Sequence, residues 1–403
     1  MKTAQPSPAV TSIAIEAASP LSVGAELVLI RDAYRRRSSP AMRRKLAILL
    51  SRMADWAGLV ELLAPLDDLS VEEDLLLAAA WLDLRSIDGC DAAIKSIDRV
   101  NLGASTQAQR SAALVLRAKV AAWNRDWSAA REALQQALAL DPTNRAACIR
   151  LARIELSEDR ADAALALADS LAARGAQHPY LSAVRTLGQA CRGDVAEARQ
   201  TMGTELLGAS RMIAPPPGWS DIEEFNAALA AELLAHPDLR FQRYGASPSP
   251  SWGIDAPLTP AAPLLRLLLA SIVSAVGEHI AGLSELDHPW LGIRPAQATL
   301  HCSCVMTEAE HFESWHVHPT GWLNGVYYVQ IPEGISEENE AGCLAFGLPD
   351  SPAGSAAAEA YGRQIICPRG GLLVAFPSHT YHRTFAHGCE GRRIAVTFEL
   401  RPS

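Results

Sequence analysis

A chain of 403 residues, 20% charged and 49% hydrophobic, has material for two or three domains with buried cores and the composition of a folded protein. A formal charge of −9 argues against generic binding to nucleic acid or to an anionic membrane surface. Both need clustered Lys and Arg, and the one basic stretch, Arg35-Arg36-Arg37 to Arg43-Arg44-Lys45, is short and reads as helical.

The first thirty residues carry one Lys before Arg31, scattered prolines and acids, and no uninterrupted apolar core, so they do not resemble a secretory signal, and residues 1–21 are expected to be a flexible N-terminus. The expected address is cytoplasmic. The most apolar run, Leu267 to Gly277, is too short for a membrane span and is flanked by Arg266 and Glu278, which suits a buried helix and no membrane partner. The eight cysteines include no CxxC pair, so reduced, buried thiols are expected; Cys302 and Cys304 share a strand face but lack the second close pair of a zinc site.

Residues 22–212 are rich in Ala and Leu and repeat themselves. Trp127-Ser-Ala-Ala130, Ala161-Asp-Ala-Ala164 and Val195-Ala-Glu-Ala198 each follow a polar turn, and each starts 34 residues after the last. A fainter echo pairs Trp56 with Cys90 and Leu59 with Ala93. That period predicts helix-turn-helix repeats stacked into an α-solenoid. In "NRDWSAAREALQQALALDPTN", small Ala130 marks a close helix approach, apolar residues recur at helical spacing, and Asp141-Pro142 closes the second helix. The segment resembles a tetratricopeptide repeat, with about five degenerate units across 22–212. Such a solenoid serves either as a docking platform alone or as a groove that holds a peptide or protein partner.

The triple proline in "APPPGWSD" cannot continue a helix and places a domain boundary between 212 and 213. A helical lead-in over 220–285 follows, with helices at Ile222 to Ala235 and about Pro260 to Leu283 separated by the irregular loop "GASPSPSWGIDAPLTP". Over 292–401 the pattern becomes β: "ATLHCSCVM", "GVYYVQIP", "GCLAFGLP", "RQIICP", "GLLVAFP" and "RRIAVTFEL" are short Val-, Ile-, Phe- and Tyr-rich runs bounded by turn residues. They predict an antiparallel sandwich or jelly roll, making the chain an α + β multidomain protein.

Seven of the eleven histidines lie between 301 and 387. In a strand, residues i and i+2 face the same way, so His316 and His318 can aim two imidazoles at one point. His382, in "FPSHTYHRTFAH", follows the strand Leu372 to Phe376 and can return to the same mouth. Two ligands close in sequence and a third 64 residues on is the spacing of a facial metal triad with open positions. Glu313, three residues before His316, is expected on the other face. Arg393 opens the last strand, and Arg binds carboxylates bidentately. Thr397 shares its face, and one of Tyr327 and Tyr328 is expected in the same cavity.

Taken in order, "HVHPTGWLNGVYYVQIPEG", "GCLAFGLPD", "FPSHTYHRT" and "RRIAVTFEL" resemble the Fe(II)/2-oxoglutarate oxygenases of bacteria and phages, a double-stranded β-helix family whose pattern is HxHP, SGVYYV, FPSxxxH and RIS. The resemblance covers about 215–403, with "EEFNAALAAELLAHPDL" as its opening helix, and family members often carry tetratricopeptide repeats ahead of the catalytic domain. It implies His316, His318 and His382 as Fe(II) ligands. It implies Arg393 on the distal carboxylate of 2-oxoglutarate and dioxygen at the remaining metal position; Tyr328 and Thr397, from strand parity, and Asn324 are the further candidates beside the co-substrate. Three departures stand out: His318 where the wider superfamily has a carboxylate, Asn324 in place of Ser, and Ala395 in place of a hydroxyl residue. The first leaves the metal one unit more positive than the usual triad does.

Three functions are therefore open. The leading expectation is a dioxygenase that couples decarboxylation of 2-oxoglutarate to hydroxylation of a peptide or protein recruited by the repeats. The others are a non-catalytic scaffold with a degenerate oxygenase domain, and a three-histidine iron dioxygenase that does not use 2-oxoglutarate.

Overall fold

A computed structural model describes residues 11–85, 88–103, 105–242, 251–335 and 338–403. It divides into two compact units, Val23–Ala176 and a second made of the chain up to Ser22 together with Gln177–Ser403.

Among the described residues the first unit contains nine helices: α1 (Val23–Arg36), α2 (Pro40–Arg52), α3 (Trp56–Leu63), α4 (Val71–Asp83), α5 (Gly89–Leu102), α6 (Gln107–Trp123), α7 (Trp127–Leu140), α8 (Arg145–Ser157) and α9 (Ala161–Ala173). Their starts are written in cap chemistry: Ser70 with Glu73 and Thr106 with Gln109 form reciprocal capping boxes, and the side chains of Ser39, Asp55, Asp126 and Asn144 accept from main-chain N–H groups in the first turn. The turns inside successive pairs reuse one backbone state, with positive φ at Ala54, Arg85, Arg125 and Asp159, the left-handed residue that ends a helix. The repeat read from the sequence lands on the packing: Leu59, Ala93, Ala130 and Ala164, at equivalent places on α3, α5, α7 and α9, are all buried. Arg43 is also buried, bonded to Glu73 at 2.7 Å and Asp68 at 2.9 Å, so this unit holds a charge only with its partners in place.

The second unit begins where a flexible terminus and a longer solenoid were expected. Residues 12–15 form strand β1 (Ser12–Ile15), paired in parallel with the strand at 297–300, and the Glu16 carboxylate receives the Cys302 N–H at 3.0 Å. Four alternating residues are too few to announce a strand; residues 1–10 lie outside the described part. Helices α10 (Pro179–Arg192) and α11 (Val195–Met202) keep the repeat, with Gly193 at φ 92° in the pair's turn and Ala198 buried, yet belong to this unit. The cause is hydrogen bonding: the His288 ring donates to Gln200 O, and His379 reaches the carbonyls of Thr201 and Met202, tying the end of α11 to the β domain.

The unit continues through α12 (Thr204–Leu207), β2 (Ala209–Met212), α13 (Ile222–Leu234), β3 (Arg240–Gln242), β4 (Ser251–Ile254), α14 (Pro263–Gly282), β5 (Gln297–Thr307), β6 (Leu323–Gln330), β7 (Leu344–Phe346), β8 (Gln364–Ile366), β9 (Leu372–Pro377), β10 (His382–Thr384) and β11 (Arg393–Pro402). The major sheet runs β2-β9-β6-β11-β5-β4-β3 with β1 added on β5, and the minor sheet runs β10-β7-β8. Strand β4 falls inside the expected irregular loop, of which residues 245–250 lie outside the described part; after the prolines, Trp252 and Ile254 supply enough apolar surface to pair with β5.

Two cores follow from the period of the strands. On one face of the major sheet, Ile394, Val396, Phe398 and Leu400 of β11 and Tyr327 of β6 pack with α13 and α14. On the other, Val326, Tyr328, Leu344, Phe346, Phe376 and Ala395 fill the space between the sheets. Strand β6 is central and buried on both faces, which is why "LNGVYYV" lacks polar alternation. By length and composition α14 is apolar enough to cross a membrane, but Leu265, Leu268, Leu269, Ile272, Ala275, Val276 and Ile280 are buried in the first core, as the sequence predicts. Cys302 and Cys304 share that core, and burial pushes the Cys304 thiol up to about 12.

Candidate functional site

Between the two sheets lies a cavity of about 540 Å³. Strand β11 forms one wall. Its odd-numbered residues Arg393, Ala395, Thr397, Glu399 and Arg401 line the cavity, and the even-numbered ones face the helices, as a period of two requires.

The three histidines meet here. His316 and His318 belong to an extended segment rather than to a regular strand: one bridge, with His316 N–H to His382 O at 3.0 Å and His382 N–H to His316 O at 3.1 Å, joins that segment to β10. His318 N–H bonds Ser378 O at 3.0 Å, so the next carbonyl is taken from the turn before β10. The ligand atoms offered by His316, His318 and His382 all lie within 4.8 Å of one another.

Hydrogen bonds fix which nitrogen is offered. His316 Nδ1 is 2.8 Å from Ser314 O, His382 Nδ1 is 3.0 Å from Thr380 O, and His318 Nδ1 is 2.8 Å from Glu399 Oε1. Each partner is an acceptor, so each Nδ1 carries a proton and Nε2 is the nitrogen left to face a metal. Burial lowers the His316 pKa below its ordinary value, with the Glu313 carboxylate opposing and His318 reinforcing the shift. Burial also drives His382 well down, helped by the other two rings. Three imidazoles that bring their Nε2 atoms to one point are a donor set that a divalent transition metal can take, so these residues fit the iron implied by the sequence pattern.

At the Arg393 end of the strand the chemistry changes. Arg393 is 3% exposed; its Nη1 donates to Gly342 O at 2.8 Å and its Nη2 to Thr384 Oγ1 at 3.2 Å. No acid lies within ion-pair distance of it among the described residues, and a buried cation with only neutral partners is costly. The hydroxyl of Tyr328 lines the same cavity, is buried and makes no hydrogen bond among the described residues; burial raises its pKa strongly, with Arg393 opposing. A bound carboxylate satisfies both groups.

The other expected residues divide. Thr397 lines the cavity, and its hydroxyl lies 2.7 Å from Ser303 Oγ. Tyr327 faces away and donates to Asn226 Oδ1 at 2.8 Å, leaving Tyr328 as the cavity tyrosine. Asn324 is buried with its amide oxygen bonded to the Ser378 hydroxyl, and it is not among the residues lining the cavity. Glu313 lines the cavity instead of facing away, because the segment around His316 is irregular: Thr384 N–H bonds Glu313 O at 2.9 Å and Thr384 Oγ1 accepts from Glu313 N–H at 2.9 Å.

Glu399 was not expected. Besides His318 it accepts from the Thr320 hydroxyl at 2.6 Å and Arg401 Nε at 2.7 Å. Burial alone would raise its pKa, but the hydrogen bond and electrostatic pull of the His318 Nδ1–H, with the bonds from Thr320 and Arg401, hold it well below the usual carboxylate range. The signal was present: carrying the alternation Arg393, Ala395, Thr397 one step further reaches Glu399.

Residues 302–399 match a family model described as "Putative 2OG-Fe(II) oxygenase", and residues 124–187 match a tetratricopeptide repeat model. The chain thus carries an oxygenase-like β domain preceded by helical repeats. A prolyl-4-hydroxylase from Pseudomonas putida aligns over 50% of this chain and 96% of its own at 16% identity, with a TM-score of 0.32. AviO1 from Streptomyces viridochromogenes Tue57 aligns over 48% of this chain and 89% of its own at 13% identity and TM-score 0.35. A prolyl hydroxylase from Trichoplax adhaerens, solved with a hypoxia inducible factor peptide fragment, aligns over 52% of this chain and 91% of its own at 12% identity and TM-score 0.34. No curated protein matches the chain.

Proposed function

We propose that the β domain is an Fe(II)- and 2-oxoglutarate-dependent dioxygenase that hydroxylates a peptide or protein substrate. The observation that carries this reading is one cavity holding three imidazoles, each with Nδ1 hydrogen-bonded to an acceptor, and a buried Arg393 with no acid within ion-pair distance among the described residues. His316, His318 and His382 would hold the iron, which when bound allows dioxygen and the 2-oxo acid to oxidise a substrate C–H bond.

The chain's own residues do the rest. Gly342 O and Thr384 Oγ1 fix the Arg393 guanidinium, so that it meets the distal carboxylate of the co-substrate in one orientation. The Tyr328 hydroxyl donates to the same carboxylate. Leu344, Phe376 and Val326 line the cavity with apolar surface and keep water from the reacting centre. The tetratricopeptide match supports recruitment of a peptide or protein by the helical repeats. A cytoplasmic setting belongs to the same proposal, supported by eight cysteines that are all free thiols.

The test is anaerobic titration of the metal-free protein with Fe(II) and then 2-oxoglutarate, watching for the weak visible charge-transfer band of the chelated 2-oxo acid. Its appearance, and its loss in H316A, supports the proposal. Bound iron with no band points to the dioxygenase that does not use 2-oxoglutarate, and no iron uptake points to the scaffold.

A further inference from the structure

The three histidines are not equivalent. His316 and His382 give their Nδ1 protons to main-chain carbonyls two residues back, whereas His318 gives its proton to a carboxylate. That carboxylate is itself oriented: Glu399 Oε1 takes His318, and Oε2 takes Thr320 and Arg401 at 2.6 and 2.7 Å. Strand β11 delivers it, because Glu399 shares the cavity face of Arg393 and Thr397.

We propose that Glu399 is a positioning residue that acts through His318 and supplies, one hydrogen bond removed from the metal, the negative charge that this ligand set otherwise lacks. The inference rests on the reading of the triad as a metal site. Three neutral imidazoles leave a divalent ion uncompensated, and no carboxylate is one of the three ligands. An imidazole whose Nδ1–H is donated to a carboxylate is a stronger donor at Nε2, has a fixed tautomer and holds its ring plane. Glu399 thereby gives His318 part of the anionic character of the carboxylate that it replaces, without occupying a metal position. The two carbonyl-bonded histidines orient the ion; the carboxylate-bonded one balances its charge.

The experiment compares Co(II) affinity, read from ligand-field absorption during titration of the full-length metal-free chain, in wild type, E399Q, H318D and H318D/E399Q. Gln can keep the hydrogen bond through its amide oxygen but not the charge, so E399Q is expected to lose roughly 10–100-fold in affinity with an unchanged melting curve. In the H318D background the charge is on the ligand itself, and E399Q is expected to change affinity by less than about threefold, because the partner through which Glu399 acts is gone. Equal affinities of wild type and E399Q overturn this inference and leave the oxygenase reading standing. An equal loss in both backgrounds also overturns it, since Glu399 would then act through the fold and not through His318. Failure of wild type to take up Co(II) overturns both readings. If E399Q does not fold, T320V removes one of the three donors that hold the carboxylate: a several-fold loss supports the inference, and unchanged affinity overturns it.

Discussion

His316 and His382 exchange both of their main-chain hydrogen bonds, at 3.0 and 3.1 Å, although 66 residues separate them in the sequence. Their relative position is therefore set by backbone and does not depend on the imidazoles. Removing either ring should leave the bridge intact. H316A and H382A are expected to lose metal binding by more than the roughly 10–100-fold typical of an outer hydrogen-bond partner, with circular dichroism unchanged. Retained metal uptake in either variant would remove that histidine from the site.

Arg393 offers a sharper test of the co-substrate. Its buried guanidinium is anchored by two neutral acceptors, so the charge is held in place before any anion arrives. R393K keeps the charge but loses the fork. A charge-assisted hydrogen bond contributes about 1.5–3 kcal/mol, so the apparent affinity for 2-oxoglutarate should fall by about 10–150-fold. Turnover should recover at high co-substrate concentration. Rates that do not depend on 2-oxoglutarate in either form would point to the iron dioxygenase that does not use it.

Much of this was legible in the chain because the chemistry is periodic. The 34-residue echo predicted where α7, α9 and α11 start, and Ala130, Ala164 and Ala198 are buried at the places where the repeat demands small residues. The six strand runs from "ATLHCSCVM" to "RRIAVTFEL" all became strands, and the alternation of the last one placed Arg393 and Thr397 on the cavity face. What escaped depends on long-range pairing. Strand β1 exists only because β5 offers residues 297–300 to it, and α11 is drawn into the β unit by the rings of His288 and His379. Glu313 departs from strand parity for the same reason: its segment makes a single bridge and no continuous ladder. Strict alternation is reliable only where the ladder is continuous.

His379 is also the source of a pH dependence. Burial, assisted by the nearby His288, pushes its pKa down to about 4, while its ring bonds to Thr201 O and Met202 O. An unfolded histidine titrates near 6.5, so between about pH 6.5 and 4 the unfolded chain binds a proton that the folded chain refuses. Stability is therefore complete above about pH 6.5 and falls as the pH drops, by about 1.4 kcal/mol per unit, until the folded pKa is reached. Chemical denaturation at several pH values should show a flatter acid limb in H379Q than in wild type. Parallel limbs would exclude His379 as the group responsible.

Gly325 and Gly277 predict opposite outcomes for the same substitution. At the centre of β6, a Cβ on Gly325 would stand 2.5 Å from Phe398 Cε1 and 2.5 Å from Val374 O, the second a main-chain atom locked into the β6–β9 ladder. Phe398 is buried against the helices and cannot swing aside, so the strand itself must shift. G325A is expected to destabilise the β unit by about 1–3 kcal/mol, as overpacking does, and to weaken metal uptake, because β6 pairs directly with the cavity-lining strand β11. A Cβ on Gly277 meets nothing within 4 Å, and the residue lies inside the 20-residue helix α14. There alanine restricts the unfolded chain without a clash, so G277A should stabilise by about 0.5–1 kcal/mol. Denaturant midpoints measured on the two variants side by side check both signs: equal shifts would mean that backbone entropy alone governs these positions and that the contact between Gly325 and Phe398 is loose.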